Sequence, residues 1–182
     1  MIIIQQKHYL DIERLKPNYL DAFSEGDEIV IQEKIDGANF SIRYDAESDS
    51  IKAFSRRKEL NETNTLRGAW NWSQTLDKAL IKTVLGSNLI LFMEWLVPHT
   101  VKYPDDKYHK AYCYDVYDTN IQQYLKQTET EKIVRELNLI FVPVFYKGRF
   151  TNWNDVKTYI GKTQMGGEYG EGIVIKKPNN FK

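Results

Sequence analysis

The chain has 182 residues and a mass of 21.4 kDa, with 42% hydrophobic, 27% charged and 13% aromatic residues. This length and composition predict a single globular domain with its own core, and they exclude a chain that is disordered throughout. The 25 basic and 25 acidic residues give a net charge of zero, which excludes a polybasic binder held to nucleic acid by bulk electrostatics. The single cysteine, Cys113, excludes an internal disulfide framework and is typical of a reducing compartment.

The sequence shows no pattern of a secretory leader or a membrane span. Only three apolar residues follow the first methionine before polar residues begin, far fewer than a signal peptide contains. No uncharged apolar run approaches the roughly 20 residues that cross a bilayer. We therefore expect a cytoplasmic protein with no membrane partner, and we expect it to be a monomer.

Short strands dominate the elements predicted for the first half of the chain. Alternating apolar and polar residues indicate strands, while apolar residues three and four positions apart indicate helices. The turn pair Asp36-Gly37 separates the first two strands, and Gly86 is the expected C-cap of the first helix. The predicted elements are strands at 28–34, 40–44, 51–55 and 89–96 and a helix from 73 to 85.

The second half mixes helices and strands in the same way. Its predicted elements are strands at 111–116, 140–146 and 172–177, an amphipathic helix at 121–137 capped by Asn120, and a short helix capped by Asn152. Hairpins and single strands mixed with helices indicate an α+β domain of antiparallel sheets rather than repeated βαβ units. No repeat or flexible linker divides the chain.

Lys34 stands at the end of the first predicted strand, directly before Ile35-Asp36-Gly37. A lysine at such a junction can be partly desolvated, which lowers the pKa of the amine and makes it a nucleophile. Gly37 would let the backbone approach a bound group closely, and N–H groups exposed in such a turn can hold phosphate oxygens. The competing structural interpretation is a surface lysine before a hairpin turn.

Other charged residues interrupt apolar sequence. Glu94 is the only ionisable residue of the strand at 89–96, and Asp115 lies inside an aromatic strand. Carboxylates are rarely buried without a partner, so these two indicate a ligand, a metal or a cation, with a structural salt bridge as the alternative. The segment 171–176 carries a charge at each end of three aliphatic residues, which an edge strand with surface charges would also explain. The basic run 56–58 can equally be a solvated surface.

Together these segments resemble the motif set of the covalent nucleotidyltransferases, the superfamily of polynucleotide ligases and mRNA capping enzymes. Within it, the chain is most similar to ATP-dependent RNA ligases, particularly the group typified by the second RNA ligase of T-even bacteriophages. Five motifs follow one another in the family's order: EKIDGANFSI (33–42), FSRR (54–57), LFMEWLV (91–97), AYCYDVYD (111–118) and EGIVIK (171–176).

The resemblance implies the nucleotidyltransferase fold, with antiparallel sheets flanked by helices, and a three-step reaction. The amine of Lys34 would attack the α-phosphate of ATP, expel pyrophosphate and form lysyl-AMP. AMP would then move to an RNA 5′-phosphate, and a 3′-hydroxyl would displace it to seal the strand. ATP and Mg²⁺ or Mn²⁺ are the implied co-substrate and cofactor. The three histidines show no ligand spacing, so we expect no histidine-based metal site.

The resemblance also assigns roles to individual residues. Besides the nucleophile Lys34, the implied catalytic residues are Asp36, which would orient the nucleophile, and Lys176 and Lys182, which would hold the α-phosphate or the leaving group. The implied nucleotide-binding residues are Glu33 and Gly37 beside the nucleophile, Arg56 on the ribose or phosphate, Glu94 on the ribose hydroxyl, Tyr114 stacked on adenine with Asp115 beside it, and Ile173 or Val174 on the other face of the base. Glu171 is the implied carboxylate near the metal.

Three positions depart from the family pattern. Met93 stands where ligases usually have Gly, and Asp36 stands where many RNA ligases of this group have His. Lys182 can be the first lysine of the family's final K-x-K motif, but the second lysine is absent. We therefore expect residues 1–182 to form an adenylation domain that lacks this last motif and the family's further C-terminal domain.

Several alternative functions share these motifs. Asp at position 36 is commoner in other branches of the superfamily, so a DNA ligase and a capping guanylyltransferase stay open. The absent second lysine favours a non-catalytic module that binds nucleotides or RNA ends. The presence of Lys34, Glu94 and Glu171 together favours catalysis.

Overall fold

A computed structural model describes residues 7–9 and 17–180 of the protein. These residues form two β-sheets with short helices packed against them, which confirms the predicted α+β class. The elements are β1 (Glu28–Lys34), β2 (Ala38–Asp45), β3 (Ser50–Ser55), α1 (Ala69–Ser73), α2 (Lys78–Leu85), β4 (Leu89–Leu96), β5 (Lys110–Asp118), β6 (Gln123–Tyr124), α3 (Gln127–Glu136), β7 (Ile140–Phe141), β8 (Val144–Arg149), α4 (Trp153–Lys157) and β9 (Gly172–Lys176). Short 3-10 segments occupy Pro17–Ala22 and Asp105–Lys107.

The larger sheet has the strand order β3-β2-β4-β5-β6, and β7 adds to β5 in parallel. The smaller sheet has the order β8-β1-β9, with both neighbours antiparallel to β1. Strands β1 and β2 follow one another in the chain but belong to different sheets. The short connection at residues 35–37 therefore lies where the two sheets meet.

The main hydrophobic core lies between the larger sheet and the helices α1, α2 and α3. Alternate residues of β2 and β4 point into it, as the period-2 pattern predicts, and among them Phe40, Ile42 and Leu91 are fully buried. Met93, which replaces the glycine usual in ligases, is also fully buried in this core. A separate cluster around Ile29 packs between the smaller sheet and α4.

The helix predicted at 121–137 is wrong over its first six residues, because α3 begins only at Gln127. Residues 123–124 instead form β6, which pairs with the end of β5. Tyr124 is fully buried there, whereas Ile121, read as part of the apolar helix face, is 53% exposed. Burial of one large aromatic side chain thus favours a hairpin over the helix that local spacing predicted. The N-cap of the helix is Lys126, whose N–H donates to Glu129 Oε2 at 3.2 Å, and not Asn120.

The strand predicted at 140–146 is divided into β7 and β8, which belong to different sheets. The chain crosses from one sheet to the other at Val142-Pro143. The Val142 N–H donates to the Cys113 carbonyl at 2.9 Å in the larger sheet, and the Pro143 carbonyl accepts from the Glu33 N–H at 2.9 Å in the smaller one. Proline has no N–H to continue a strand ladder, which explains the break.

Candidate active site

A cavity of about 280 Å³ opens between the two sheets, close to the lower end of the size range for small-molecule pockets, roughly 300 Å³. Both sheets supply its walls, because Lys34 comes from β1 and Glu94 and Tyr114 come from β4 and β5. The sequence-predicted residues that line it are Glu33, Lys34, Gly37, Arg56, Glu94, Tyr114 and Val174. Sequence reasoning missed five others, namely Tyr9, Gln32, Ile35, Asn39 and Val142.

Lys34 ends β1 and forms an ion pair with Glu171, with 2.6 Å between Nζ and Oε1. The pair follows from sheet register, since Lys34 lies opposite Gly172 at the start of β9. The side chains are 41% and 30% exposed, so Lys34 is less desolvated than its place after an apolar strand suggests. Because both side chains are exposed, a ligand can reach them, and an exposed ion pair costs little energy to break.

Gly37 lets the turn after Lys34 lie directly against β4. A Cβ atom at this position would overlap the carbonyl oxygen of Trp95, so only glycine fits. The Gly37 N–H donates to Glu94 Oε1 at 3.2 Å. Gly37 therefore makes its close approach to strand β4, whereas the prediction was an approach to a bound group. Its N–H helps to hold the Glu94 side chain at the cavity.

Glu94 is a partly buried carboxyl in an apolar strand. Desolvation raises its pKa to about 7, opposed by the Gly37 N–H and by the positive charge of Lys34. At neutral pH the group is therefore divided between its protonated and ionised forms, and it can accept or donate a hydrogen bond.

Tyr114 presents its aromatic ring at the cavity. Its hydroxyl accepts a hydrogen bond from Asn39 Nδ2 at 2.7 Å, which fixes the ring, and burial holds its pKa well above the usual value. Val174 faces the same cavity. Ile173 packs in the cluster around Ile29, because neighbouring residues of a strand point to opposite faces. Of the two residues predicted for the second face of the base, Val174 lines the cavity and Ile173 does not, and the role of either stays a prediction.

Asp115 and Lys176 form a buried ion pair between the two sheets. Lys176 Nζ lies 2.7 Å from Asp115 Oδ1 and donates to the Tyr114 carbonyl at 3.0 Å. The hydroxyl of Tyr9 donates to Asp115 Oδ2 at 2.5 Å. Burial raises the pKa of Asp115, and the charge of Lys176 opposes that change. Asp115 therefore forms the structural salt bridge that was the alternative to a ligand site. Neither Asp115 nor Lys176 lines the cavity.

Asp36 turns its carboxylate away from the cavity. Oδ2 accepts from the Val101 N–H at 2.7 Å, and Oδ1 lies 2.7 Å from His99 Nδ1. The Asp36 N–H donates to the hydroxyl of Tyr103 at 3.0 Å. Asp36 therefore ties the turn after Lys34 to the segment that follows β4. Its role in orienting Lys34 stays a prediction.

The side chain of Glu33 is buried on the face opposite Lys34, where Oε2 accepts from the Gln164 N–H at 3.4 Å and burial raises its pKa. Among the described residues, Glu33 Oε1 has no hydrogen-bond partner. Lys182 lies outside the described residues.

Within residues 7–9 and 17–180, no three His, Cys, Asp or Glu side chains come together as a metal site. Of the helices in the same ranges, none has the length and apolar character needed to cross a bilayer.

Comparison with known protein families shows where the chain belongs. The family described as RNA ligase matches residues 27–182. The chain belongs to the RNA ligase family. This match confirms the resemblance predicted from the five motifs. Comparison with curated protein sequences gives no significant match.

Solved RNA ligases share the fold. A ligand-free mutant of a Naegleria gruberi RNA ligase aligns with a TM-score of 0.74 at 23% identity, covering 95% of this chain and 54% of that one. A mutant of the Naegleria gruberi enzyme with ATP and Mn gives 0.72 at 22% identity, covering 90% and 51%. An archaeal ATP-dependent RNA ligase gives 0.71 at 18% identity, covering 95% and 46%. The predicted nucleotidyltransferase fold is confirmed, and the chain spans about half the length of these solved relatives.

Proposed function

We propose that the chain is the adenylation domain of an ATP-dependent RNA ligase and that Lys34 is its nucleophile. The observation that carries this proposal is the convergence of Lys34, Arg56, Glu94 and Tyr114 on one cavity between the sheets. Family membership supports RNA over DNA as the substrate class. Among the relatives, the Naegleria enzyme was solved with ATP and Mn, and the archaeal enzyme is described as ATP-dependent.

The proposed reaction has three balanced steps. In the first, deprotonated Lys34 Nζ bonds to the α-phosphorus of ATP, and pyrophosphate leaves with the electron pair of the broken P–O bond. In the second, an oxygen of an RNA 5′-phosphate attacks the same phosphorus and releases the lysine. In the third, a 3′-hydroxyl attacks the activated 5′-phosphate, loses its proton and displaces AMP.

The cavity walls fit an adenosine phosphate. The adenine would lie between the ring of Tyr114 and Val174, which flank the space with flat and aliphatic surfaces. Glu94 would bond the ribose hydroxyl, and Arg56 would contact the ribose or the phosphate. Lys176 and Lys182 are the lysines proposed for the α-phosphate or the leaving group. Because Lys176 pairs with Asp115 and does not line the cavity, it would have to shift within that pair to reach a phosphate.

Glu171 fits the role of carboxylate ligand to Mg²⁺ or Mn²⁺. It is accessible and lies against the nucleophile, and such ions are held in phosphoryl-transfer sites by one or two carboxylates together with substrate phosphates. A bound ion would neutralise negative charge on the phosphates. For Lys34 to react, its amine must leave Glu171, which the exposure of the pair permits.

We further propose that residues 1–182 form one adenylation domain acting as a monomer in the cytoplasm, on RNA with 5′-phosphate and 3′-hydroxyl ends. The two sheets share the cavity, which supports treating them as one domain. The cysteine content, with one buried thiol and no partner for it in the sequence, supports a reducing compartment.

The test is incubation of the purified chain with α-labelled ATP and Mg²⁺, followed by denaturing electrophoresis. Lys34→Ala removes the nucleophile, and Lys78→Ala is the matched control, because Lys78 also forms an exposed ion pair, with Asp49 at 3.0 Å. We expect label that survives denaturation in the wild type and in Lys78→Ala and is absent in Lys34→Ala. Persisting label in Lys34→Ala would contradict the assignment of the nucleophile.

Other outcomes identify the alternatives. ATP binding without an adduct would favour a non-catalytic module over the enzyme. Stronger labelling by GTP would favour a capping enzyme. Transfer of AMP to a DNA 5′-phosphate in preference to RNA would favour a DNA ligase.

A further inference from the structure

Tyr9 lies before residue 27, where the match to the RNA ligase family begins, yet it forms part of the cavity wall. Its side chain is only 8% exposed. Its ring packs against Phe92 and Tyr124, with centroid distances of 5.2 and 5.4 Å. Lys7, two residues earlier, places Nζ 4.7 Å from the centroid of Tyr117. This part of the chain is therefore fitted against the larger sheet by several independent contacts.

The ring of Tyr9 also supports Tyr114. The two centroids are 5.0 Å apart and the planes are at 78°, an edge-to-face contact. Asn39 fixes the hydroxyl end of Tyr114, and Tyr9 contacts its ring. The orientation of the aromatic surface at the cavity thus depends on a residue more than 100 positions away in the sequence.

The hydroxyl of Tyr9 reaches a different group. It donates to Asp115 Oδ2, while Lys176 occupies Oδ1. A buried carboxylate with both oxygens bonded has a fixed orientation, and it fixes the lysine bonded to it in turn. Tyr9 therefore acts on β9, in the smaller sheet, through Asp115 in the larger one.

We propose that Tyr9 is a positioning residue of the nucleotide site, with a separate task for each part of its side chain. The ring holds Tyr114 in the plane that receives the base. The hydroxyl holds Asp115 and, through it, Lys176. The inference rests on the proposed function, because it takes the cavity to be the site for ATP.

Two substitutions separate the two tasks. Tyr9→Phe keeps the ring and removes the hydroxyl, whereas Tyr9→Leu removes both. The matched control is Tyr44→Phe, which removes a similar hydrogen bond, from a buried tyrosine to Asp49 at 2.7 Å, remote from the cavity lining. For each variant, the single-turnover rate of lysyl-AMP formation is measured against ATP concentration, at a temperature where thermal unfolding shows all chains to be folded.

We expect the two substitutions to act differently on the rate at saturating ATP and on the ATP concentration that gives half of that rate. Tyr9→Phe should lower the rate at saturating ATP about tenfold, the size of effect typical of a hydrogen bond to a charged group, with half-saturating ATP unchanged. Tyr9→Leu should in addition raise half-saturating ATP by several-fold to about tenfold, through the lost aromatic contact. Tyr44→Phe should change neither. A folded Tyr9→Phe with wild-type kinetics, or equal loss in Tyr44→Phe, would overturn the proposal.

Failure of the proposed function gives a distinct result. If the wild type forms no adduct, equilibrium binding of ATP replaces the rate measurement. Binding weakened in Tyr9→Leu and unchanged in Tyr44→Phe would support the inference while the enzyme proposal fails. Equal affinities in all chains would overturn the inference, and no ATP binding by the wild type would overturn both.

Discussion

Strand β9 has a lysine–carboxylate pair at each end, and the two pairs have opposite characters. At its start, Glu171 pairs with Lys34, and both side chains keep between 30% and 41% of their surface exposed. At its end, Lys176 pairs with Asp115, and the exposed fractions are only 11% and 3%. The nitrogen–oxygen distances are nearly the same, 2.6 and 2.7 Å, so burial is the main difference.

This difference separates Lys34, the group proposed to react, from a pair that holds the structure. An exposed pair contributes little to stability and can be replaced by a ligand at low cost. A buried pair leaves an uncompensated charge when one member is removed. The first pair also joins neighbouring strands of one sheet, while the second joins the two sheets. Lys34 is therefore free to change partner during a reaction, and Lys176 is much less so.

The largest expected effect on stability is the difference between replacing the lysine of the buried pair and replacing the lysine of the exposed pair by methionine. Lys176→Met leaves Asp115 buried with only the hydroxyl of Tyr9, and it should lower the free energy of unfolding by about 3 kcal/mol. Lys34→Met should lower it by less than about 1 kcal/mol, because water screens the remaining Glu171. Urea unfolding of both variants measures the difference. Equal losses would mean that burial does not distinguish the pairs.

A second prediction concerns Glu94, the carboxyl that lines the cavity. Its pKa of about 7 in the folded chain lies above the ordinary value of 4.5, so between these values the folded state binds more protons than the unfolded state. The contribution of Glu94 to stability therefore falls as the pH rises from about 4.5 to about 7. Above pH 7 the full cost of burying the ionised carboxylate is present. Glu94→Gln removes this cost, because the amide does not ionise.

The measurement is the free energy of unfolding of both chains at pH 5 and pH 8. From pH 5 to pH 8, the unfolding free energy of Glu94→Gln should rise relative to that of the wild type by about 2 kcal/mol. This is less than the full pKa shift of Glu94 implies, because water reaches part of the side chain. Parallel pH profiles for the two chains would contradict the assigned cause.

The smallest effect on stability is expected from Glu171→Gln in the exposed pair. Unfolding free energy should change by less than about 0.5 kcal/mol, since exposed pairs contribute little. The concentration of Mg²⁺ needed for half-maximal lysyl-AMP formation should nevertheless rise, because the amide is a weaker ligand for a hard cation. A metal titration of the labelling reaction measures this, with Glu59→Gln as a control at the exposed pair of Lys52. An unchanged Mg²⁺ requirement would exclude Glu171 as the metal ligand.

Local pattern predicted most of the strands because alternation is strong wherever one face is buried. It failed at 121–124, where the burial of Tyr124 against residues distant in sequence decided the structure. It also read 140–146 as one strand, although the proline at 143 signals the break between the sheets. These are the positions where partners outside the segment determine its conformation.

In the candidate site too, local sequence predicted some residues, while others depend on contacts between distant parts of the chain. The motifs identified Lys34, Glu94 and Tyr114, which the fold brings to one cavity. Strand alternation alone could not select Val174 over Ile173, since Val174 shares a face with Lys176 and Ile173 shares one with Glu171. Nothing local could reveal Tyr9 or the contact of His99 with Asp36, because both depend on pairings across more than 60 residues.

The connection at residues 35–37 has a consequence for how the reaction distance is set. Lys34 belongs to the smaller sheet, whereas Tyr114 and Glu94 belong to the larger one. In the proposed reaction, the gap between the attacking amine and the bound adenosine would therefore be a distance between the two sheets, set by how they pack rather than by the geometry of either sheet. If the proposed reaction takes place here, substitutions at the sheet junction far from the cavity would change its rate while every residue proposed to touch the nucleotide stays the same.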